Sequence, residues 1–409
     1  MKYEFENSKI VMKKAFAVSE VLDSVEKIFN DFNDKLPNNK NSVILLKANF
    51  NNDLNSLTGN STDFRVIVAV AKALQKRGFN NIILGDGSNC GTVHAKLDIL
   101  ERLGVKKLAE YLRIKTVDLN YTPGISLYLS GKKAIVSELV KKADFIINLP
   151  KIKTHVEAKM TLSSKNLMGF LQGINKRVIH SNFIPNIYQL SSQIRPNLHI
   201  VDGLIAMEGD GPGDGLPVKM GVIVAGTDNF LVDAFCARIS GFDPLDVPYV
   251  RLAFKKGRLS RADLKNVREN VDVVLKLQKP GEYVLTKLLL HNFFVLPRYW
   301  AVFDWIFNLK FVGTLLYKLN IRQDIYTDKI MNLKEFNYKF KSKEKAKVCE
   351  IYCPLGLKFN KDFNLKKSTC VECMYCYTLC PELFEVEGEM GFFKINFNRY
   401  KNKVKRLLS

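Results

Sequence analysis

The sequence predicts an α/β fold: a largely parallel sheet domain over 42–260, with a small C-terminal α+β domain at 341–409. Two observations predict it. Between 43 and 241, short apolar runs bounded by polar turns alternate with helical patterns, the order of a parallel sheet with crossover helices. Toward the C-terminus that alternation stops and cysteines take over, six of the chain's eight lying between Cys349 and Cys380. At 409 residues, 47% of them hydrophobic, the chain has material for a large core and an appendage.

Taken in order, residues 1–41 read as an N-terminal helix and a polar linker. VILLKANF (43–50) is a buried strand, and NNDLNSLTGNSTD (51–63) a long polar loop. FRVIVAVAKALQKRG (64–78) is a helix closed by Gly78. NNIILGDGS (80–88) is a second strand with a Gly-rich end, LDILERLGV (97–105) is helical, and IKTVDLN (114–120) is a third strand. ADFIINLP (143–150) is a buried strand that runs through the turn PKIKT to His155. Residues 156–197 read as loop and short helix, and 198–209 as a strand. GDGPGDGLP (209–217) is a loop with four glycines. A strand over 218–227 then leads into the helix 228–241, with Asp228 as its N-cap, and a Pro turn opens the helical stretch 242–257.

Residues 261–340 form a helical, aromatic-rich connector. Within it, 282–318 has no stretch of 18 residues free of charge, so a membrane-spanning helix is not expected. The preferred reading is a helical hairpin covering the sheet or the C-terminal domain. The alternative is peripheral contact with a membrane or a partner. The net charge is +21, from 62 Lys and Arg against 41 Asp and Glu. Lysine is spread along the whole chain with no compact basic stripe, so no nucleic-acid partner is expected. The N-terminus lacks the apolar core of a signal peptide, and the cysteines do not form a secreted disulfide framework. The expected location is a reducing cytoplasm, with association at the inner face of a membrane left open.

CVECMYCYTLCP (370–381) places Cys370, Cys373, Cys376 and Cys380 on C-x2-C-x2-C-x3-C-P, the run that holds a 4Fe–4S cubane in bacterial ferredoxins. A structural zinc site would pair two knuckles across a longer gap. Upstream, Cys349-x3-Cys353-Pro354 has the spacing of the second half of such a run, but Ala346 and Lys343 stand where its other ligands would be. One cluster is therefore expected, in a ferredoxin-like domain. Its ligands are Cys353, Cys370, Cys373 and Cys376, with Cys380 as the alternative fourth.

In the sheet domain, ligands gather beyond the carboxyl ends of parallel strands. That rule singles out His155, Lys165 and His180 as catalytic candidates, with Lys151, Lys153 and Asn166 as binders of a carboxylate or phosphate. The Gly-rich loop supplies Glu208, Asp210 and Asp214 as an acidic floor for the same cleft. Asp86 and Ser88 form a weaker rim, and Asp202 and Asp233 read as structural. The loop is not a P-loop, lacking the Gly-Lys-Ser/Thr ending, and no GxGxxG follows the first strand.

ADFIINLPKIKTH (143–155), TLSSKNLMGF (161–170), DGLIAMEGDGPGDGLPV (202–218) and VDAFCARISGFDP (232–244) together resemble the family called domain of unknown function 362, over roughly 42–257. The resemblance implies a C-terminal ferredoxin-type domain, which many members carry, but no particular reaction. His155, Lys165 and His180, in the order H-x9-K-x14-H, are also similar to the lactate racemase family, with one interval differing by about a residue. That similarity implies a nickel-pincer nucleotide tethered to Lys165, an acid–base role for His155 and nickel ligation by His180. A further catalytic histidine has only a distant counterpart in His94.

The expected function is that of an iron–sulfur redox enzyme or electron-transfer component. It acts on an anionic substrate or on a second, unidentified cofactor in the α/β domain, with a redox partner protein or small anionic substrate as its partner. The alternatives are a non-catalytic electron carrier or assembly protein, and an isomerase-like enzyme with a lysine-tethered organometallic cofactor.

Overall fold

A computed structural model describes residues 1–6, 8–213, 215–281, 309, 311–312, 331–336, 343–360, 362–365, 368–388 and 402–408. The hairpin or membrane reading of 282–318 and the role given to Asp214 therefore fall outside the described residues.

The fold is α/β and centres on a ten-stranded sheet. Its strands are β1 (Lys2–Glu4), β2 (Lys9–Lys14), β3 (Ile44–Lys47), β4 (Ile82–Asp86), β5 (Lys115–Asp118), β8 (Phe145–Asn148), β9 (Lys151–His155), β10 (Lys159–Thr161), β11 (Leu198–Glu208) and β12 (Leu216–Gly226). The order is β1-β2-β12-β11-β8-β3-β4-β5, with β9 also pairing β11 and carrying β10. From β11 through β8, β3 and β4 to β5 every pairing is parallel, whereas β1, β2 and β12 add an antiparallel edge. The hairpin β6 (Gly124–Leu129) and β7 (Lys132–Ser137) forms a separate two-stranded sheet.

Side-chain alternation divides the core. Ile44 and Leu46 of β3 join one apolar cluster and Leu45 the other, just as Val11 separates from Ile10 and Met12 on β2. The first cluster packs under the helices Val18–Asp31 and Phe64–Lys76. The second packs under Phe183–Gln193 and Asn229–Ile239. Asp63 caps the helix Phe64–Lys76 by accepting from Arg65 N–H at 2.9 Å, and Asp228 caps Asn229–Ile239 through Leu231 N–H at 2.8 Å.

Three readings of the sequence change. Residues 1–41 are not only helix and linker: KIVMKK is β2, an inner strand against β12 whose buried Ile10–Val11–Met12 is framed by lysines that disguise it. Residues 151–155 are not a turn but strand β9. Pro150 interrupts the run begun by β8, and the chain then re-pairs with β11 at Asp202–Lys151. The sheet unit also continues past 260. The helix Arg261–Asn270 buries Leu264 and Val267, and Leu277 still reaches the core.

The C-terminal module pairs β13 (Asn332–Phe336) antiparallel with β14 (Phe384–Glu387) around the helices Lys343–Tyr352 and Tyr375–Leu379. It therefore begins before 341. It shares the first apolar cluster with the sheet domain rather than standing apart. Tyr352 packs edge-on against Phe16 with ring centroids 5.1 Å apart. Among the described residues, no helix is long and apolar enough to cross a membrane.

Candidate functional site

β9 positions the first site. Residues two apart on a strand share a face, so Lys151, Lys153 and His155 point the same way while Ile152 enters the apolar core. Their partners then separate them. Lys151 Nζ meets Asp202 Oδ2 at 2.8 Å, both side chains fully buried. Asp202 also accepts the N–H of Asp63 at 2.7 Å, and Asp63 pairs with Arg65 at 2.8 Å. Lys151 is thus part of a fully buried cluster of two cations and two carboxylates, outside the lining of the cavity that Lys153 enters.

Lys153 and His155 instead line a cavity of about 330 Å³, shared with Asn49, Asp86, Lys165, Asn166, Lys176 and His180. That size is within the range of small-molecule sites. Lys153 Nζ has no carboxylate; it donates to Asn49 Oδ1 at 3.1 Å and to the Asn60 carbonyl at 2.9 Å. Asn49 donates to Asn166 Oδ1 at 2.7 Å, and Asn166 donates to Asn148 Oδ1 at 2.7 Å, so a chain of carboxamides backs the cavity wall. Lys165 rises from the turn Ser163–Asn166, which Asp233 fixes by accepting the N–H groups of Ser163 and Ser164 at 2.7 and 2.9 Å. Phe183 gathers three of the candidates: His180 stacks on its ring at 4.9 Å, His155 lies at 6.0 Å, and the Lys165 ammonium stands 5.8 Å over it.

The electrostatics are lopsided. Asp86 is matched by Lys47 at 2.6 Å, which leaves Lys153, Lys165 and Lys176 in excess. Burial lowers the Lys165 and Lys176 ammonium groups to about 8. Lys153 is lowered well below the ordinary lysine value, by burial first and then by Lys165. His155 is likewise held well below the ordinary histidine value, by burial and then by Lys165, Lys153 and His180. A cavity of this kind favours a ligand that brings negative charge. Gly169 makes the close packing possible, since a Cβ there would stand 2.0 Å from Asp86 Oδ1 and 2.6 Å from Lys47 Nζ.

The Gly-rich loop reaches this cavity through Pro212 and Gly213, and not through Glu208 or Asp210. Glu208 accepts from Gln278 N–H at 3.0 Å and pairs with Arg406 at 3.1 Å, while Asp210 accepts from Gly281 N–H at 2.8 Å. Both carboxylates serve the segment that follows the last helix of the sheet unit, so they supply no acidic floor. Lys176, Asn49, Asn51, Asn52, Asn89 and Cys90 line the cavity without having been singled out from the sequence. For the asparagines a signal existed: NFNND directly follows the carboxyl end of a buried parallel strand, where ligands collect.

The second site is a small cavity in the C-terminal module, lined by Cys353, Cys370, Cys373 and Cys376 with Leu355, Leu357, Phe359 and Met374. The chain between the cysteines bends through left-handed residues, Glu372 at φ 51° and Met374 at φ 60°. These bends aim amides at sulfur: Glu372 N–H donates to Cys370 Sγ at 3.4 Å, and Leu357 N–H to Cys353 Sγ at 3.4 Å. Cys349 and Cys380 stand outside this lining and hydrogen-bond each other. Among the described residues, no three His, Cys, Asp or Glu are placed as a ready metal-ligating group. In kind, the donor set of four soft sulfurs with N–H donors aimed at two of them suits iron–sulfur ligation.

One loop touches both sites. Asn49, Asn51, Asn52 and Leu54 line the cationic cavity. One and two residues after Leu54, Asn55 donates to Thr378 Oγ1 at 3.1 Å and Ser56 Oγ donates to Tyr375 Oη at 2.6 Å. Tyr375 itself lines the four-cysteine cavity.

Compared with known proteins, residues 44–238 match the family described as Domain of unknown function (DUF362). A thylakoid-associated protein of Synechocystis is 31% identical over 218 residues, which are 50% of this chain and 65% of that protein. A crystal structure of a Thermotoga maritima protein aligns with 55% of this chain and 59% of its own at 11% identity, with a TM-score of 0.30, too slight a likeness to bear on fold or function. The C-terminal module lies beyond the stretch matched by the family.

Proposed function

We propose that a DUF362 domain and a ferredoxin-type domain act here as one iron–sulfur redox protein, exchanging electrons with a small anionic substrate or cofactor held in the cationic cavity. The observation that carries this reading is the shared loop: residues 49–56 wall the cavity on one side and bond Tyr375 and Thr378, beside the four cysteines, on the other. A 4Fe–4S cluster supplies one-electron transfer when bound. Cys353, Cys370, Cys373 and Cys376 would hold it, because these four share one cavity while Cys380 is turned toward Cys349. Lys165 and Lys176 would neutralise the ligand's charge, and Lys153 with Asn49 and Asn166 would orient it. A cytoplasmic location suits a cluster of this kind.

Iron and sulfide assays on anaerobically purified protein test the first half, with four of each per chain expected. Cys353→Ala is expected to lose the cluster, and Cys380→Ala to keep it; the reverse outcome would give Cys380 the fourth ligand position. Eight irons per chain would break the single-cluster assignment. For the second half, a redox-inert protein that still binds anions would favour a non-electron-transfer role.

A second reading has one observation in its favour. His155, Lys165 and His180 surround Phe183, so a lysine-tethered group between two histidines has room to be considered. Intact mass of the protein tests it: an adduct on Lys165 supports an isomerase-like enzyme, and an unmodified chain refutes it.

A further inference from the structure

His155 Nδ1 accepts two backbone N–H groups, from Glu157 at 3.1 Å and from Ala158 at 3.2 Å. The tight turn after β9 returns these amides onto the ring. A nitrogen that accepts uses its lone pair, so it carries no hydrogen. The hydrogen of the neutral ring is then on Nε2. Adding a second proton at Nδ1 would drive N–H against two N–H groups. The surroundings oppose the imidazolium as well. The residue is only 6% exposed, and its neighbours Lys165, Lys153 and His180 disfavour a further positive charge. The Glu157 carboxylate lies 4.0 Å from His180 and acts on Lys165.

The other edge of the ring faces the cavity. Among the described residues Nε2 has no hydrogen-bond partner, and neither has Lys165 Nζ beyond its contact with the Phe183 ring. Both groups line the cavity, so an acceptor placed there can take a hydrogen bond from each.

Resting on the reading of this cavity as an anion site, we propose that His155 is a fixed hydrogen-bond donor through Nε2–H rather than a general base or metal ligand, and that with Lys165 it grips one oxygen of the anionic ligand. The chemical class is a small acid whose carboxylate, phosphate or adjacent carbonyl oxygen accepts from both groups. This assignment removes the base role from His155 and leaves Lys165 and Lys176, both lowered to about 8, as cavity groups able to hold or release a proton near neutrality. It also disfavours metal ligation by His155, since both ring nitrogens are already committed, one as acceptor and one as N–H.

Long-range ¹H–¹⁵N correlation of histidine-labelled full-length protein tests the tautomer directly. The chain has five histidines, and a His155→Gln sample assigns the signal. A pyridine-type Nδ1 and a pyrrole-type Nε2, unchanged a unit either side of neutral pH, are expected. A protonated Nδ1, or a ring that becomes doubly protonated in that range, would overturn the proposal. Titration with inorganic phosphate gives a second readout. Phosphate is expected to shift Nε2 and leave Nδ1 in place. His155→Gln, whose amide nitrogen can occupy the Nε2 position, is expected to bind phosphate within a few-fold of the native protein, and His155→Asn about tenfold more weakly. Binding that leaves Nε2 unmoved, or equal losses in the two variants, would overturn the donor role alone. No phosphate binding at all would overturn the cavity reading together with it.

Discussion

Two buried polar regions start two residues apart on β9, at Lys151 and Lys153, and their charges are counted differently. Around Lys151, two cations and two carboxylates interlock with every side chain fully buried: Lys151, Arg65, Asp63 and Asp202. Around Lys153, three lysines in excess face carboxamides and a cavity. The first region is complete and belongs to the scaffold. The second holds more cations than carboxylates, and it is the region where we propose that an anion binds. Burial alone does not separate a structural lysine from a binding lysine; the ratio of carboxylates to cations within reach does.

The largest effect expected from this contrast is on stability. Lys151→Met strands Asp202 beside Asp63 in the core, and the loss should be about 3–5 kcal/mol in chemical unfolding. A loss below about 1 kcal/mol would mean that the two regions are not different in kind. Lys153→Met probes the opposite region and should weaken phosphate binding roughly a hundredfold, on the order of 2–3 kcal/mol, since it removes a buried, pre-oriented donor. Calorimetry on both variants is the sharpest comparison, because each should fail the test that the other passes.

Gly169→Ala puts a methyl group against the Asp86–Lys47 pair. It should cost about 1–3 kcal/mol through overpacking and reduce anion affinity, readable in a melt and a titration of one sample. A fourth outcome concerns pH. Lys165 and Lys176 sit at about 8 in the folded protein, below their ordinary value of 10.5. Between those values the unfolded chain binds more protons, so the stability of the ligand-free protein should rise with pH there. Anion affinity should move the other way, falling about tenfold per lysine lost as pH rises through 8 and beyond. Lys165→Met should flatten both curves. The smallest effect is that of Ser56→Ala, which removes the hydrogen bonds to Tyr375 and Asp63 at about 0.5–1.5 kcal/mol each.

Much of the molecule was legible in its sequence. The parallel strands announced themselves as short apolar runs, and His155, Lys153, Lys165, Asn166 and His180 were chosen by their place after a strand end and do line one cavity. What failed to show was anything decided by a distant partner. Lys151 and Lys153 are the same residue type two positions apart, yet one meets Asp202, 51 residues away, and the other Asn49, 104 residues away. No local pattern distinguishes them. Residues 51–63 read as a solvated loop because of their asparagines and serines. They are almost entirely buried, since those side chains satisfy one another, Lys153 and Tyr375. The acids of the Gly-rich loop misled for a similar reason: Glu208 and Asp210 serve the chain at 278–281, which sequence proximity could not reveal. β2 was hidden by its flanking lysines.

The bond from Ser56 to Tyr375 joins residues 319 apart in the chain, and that from Asn55 to Thr378 spans 323. This separation has a consequence in time. As the chain emerges from the ribosome, the supports at Tyr375 and Thr378 are made more than 300 residues after the loop they hold. Contacts so distant in sequence are among the slowest to form. The cavity therefore matures only when the cysteine-bearing module has arrived and docked. A chain lacking that module would be left without these two supports of the pocket wall.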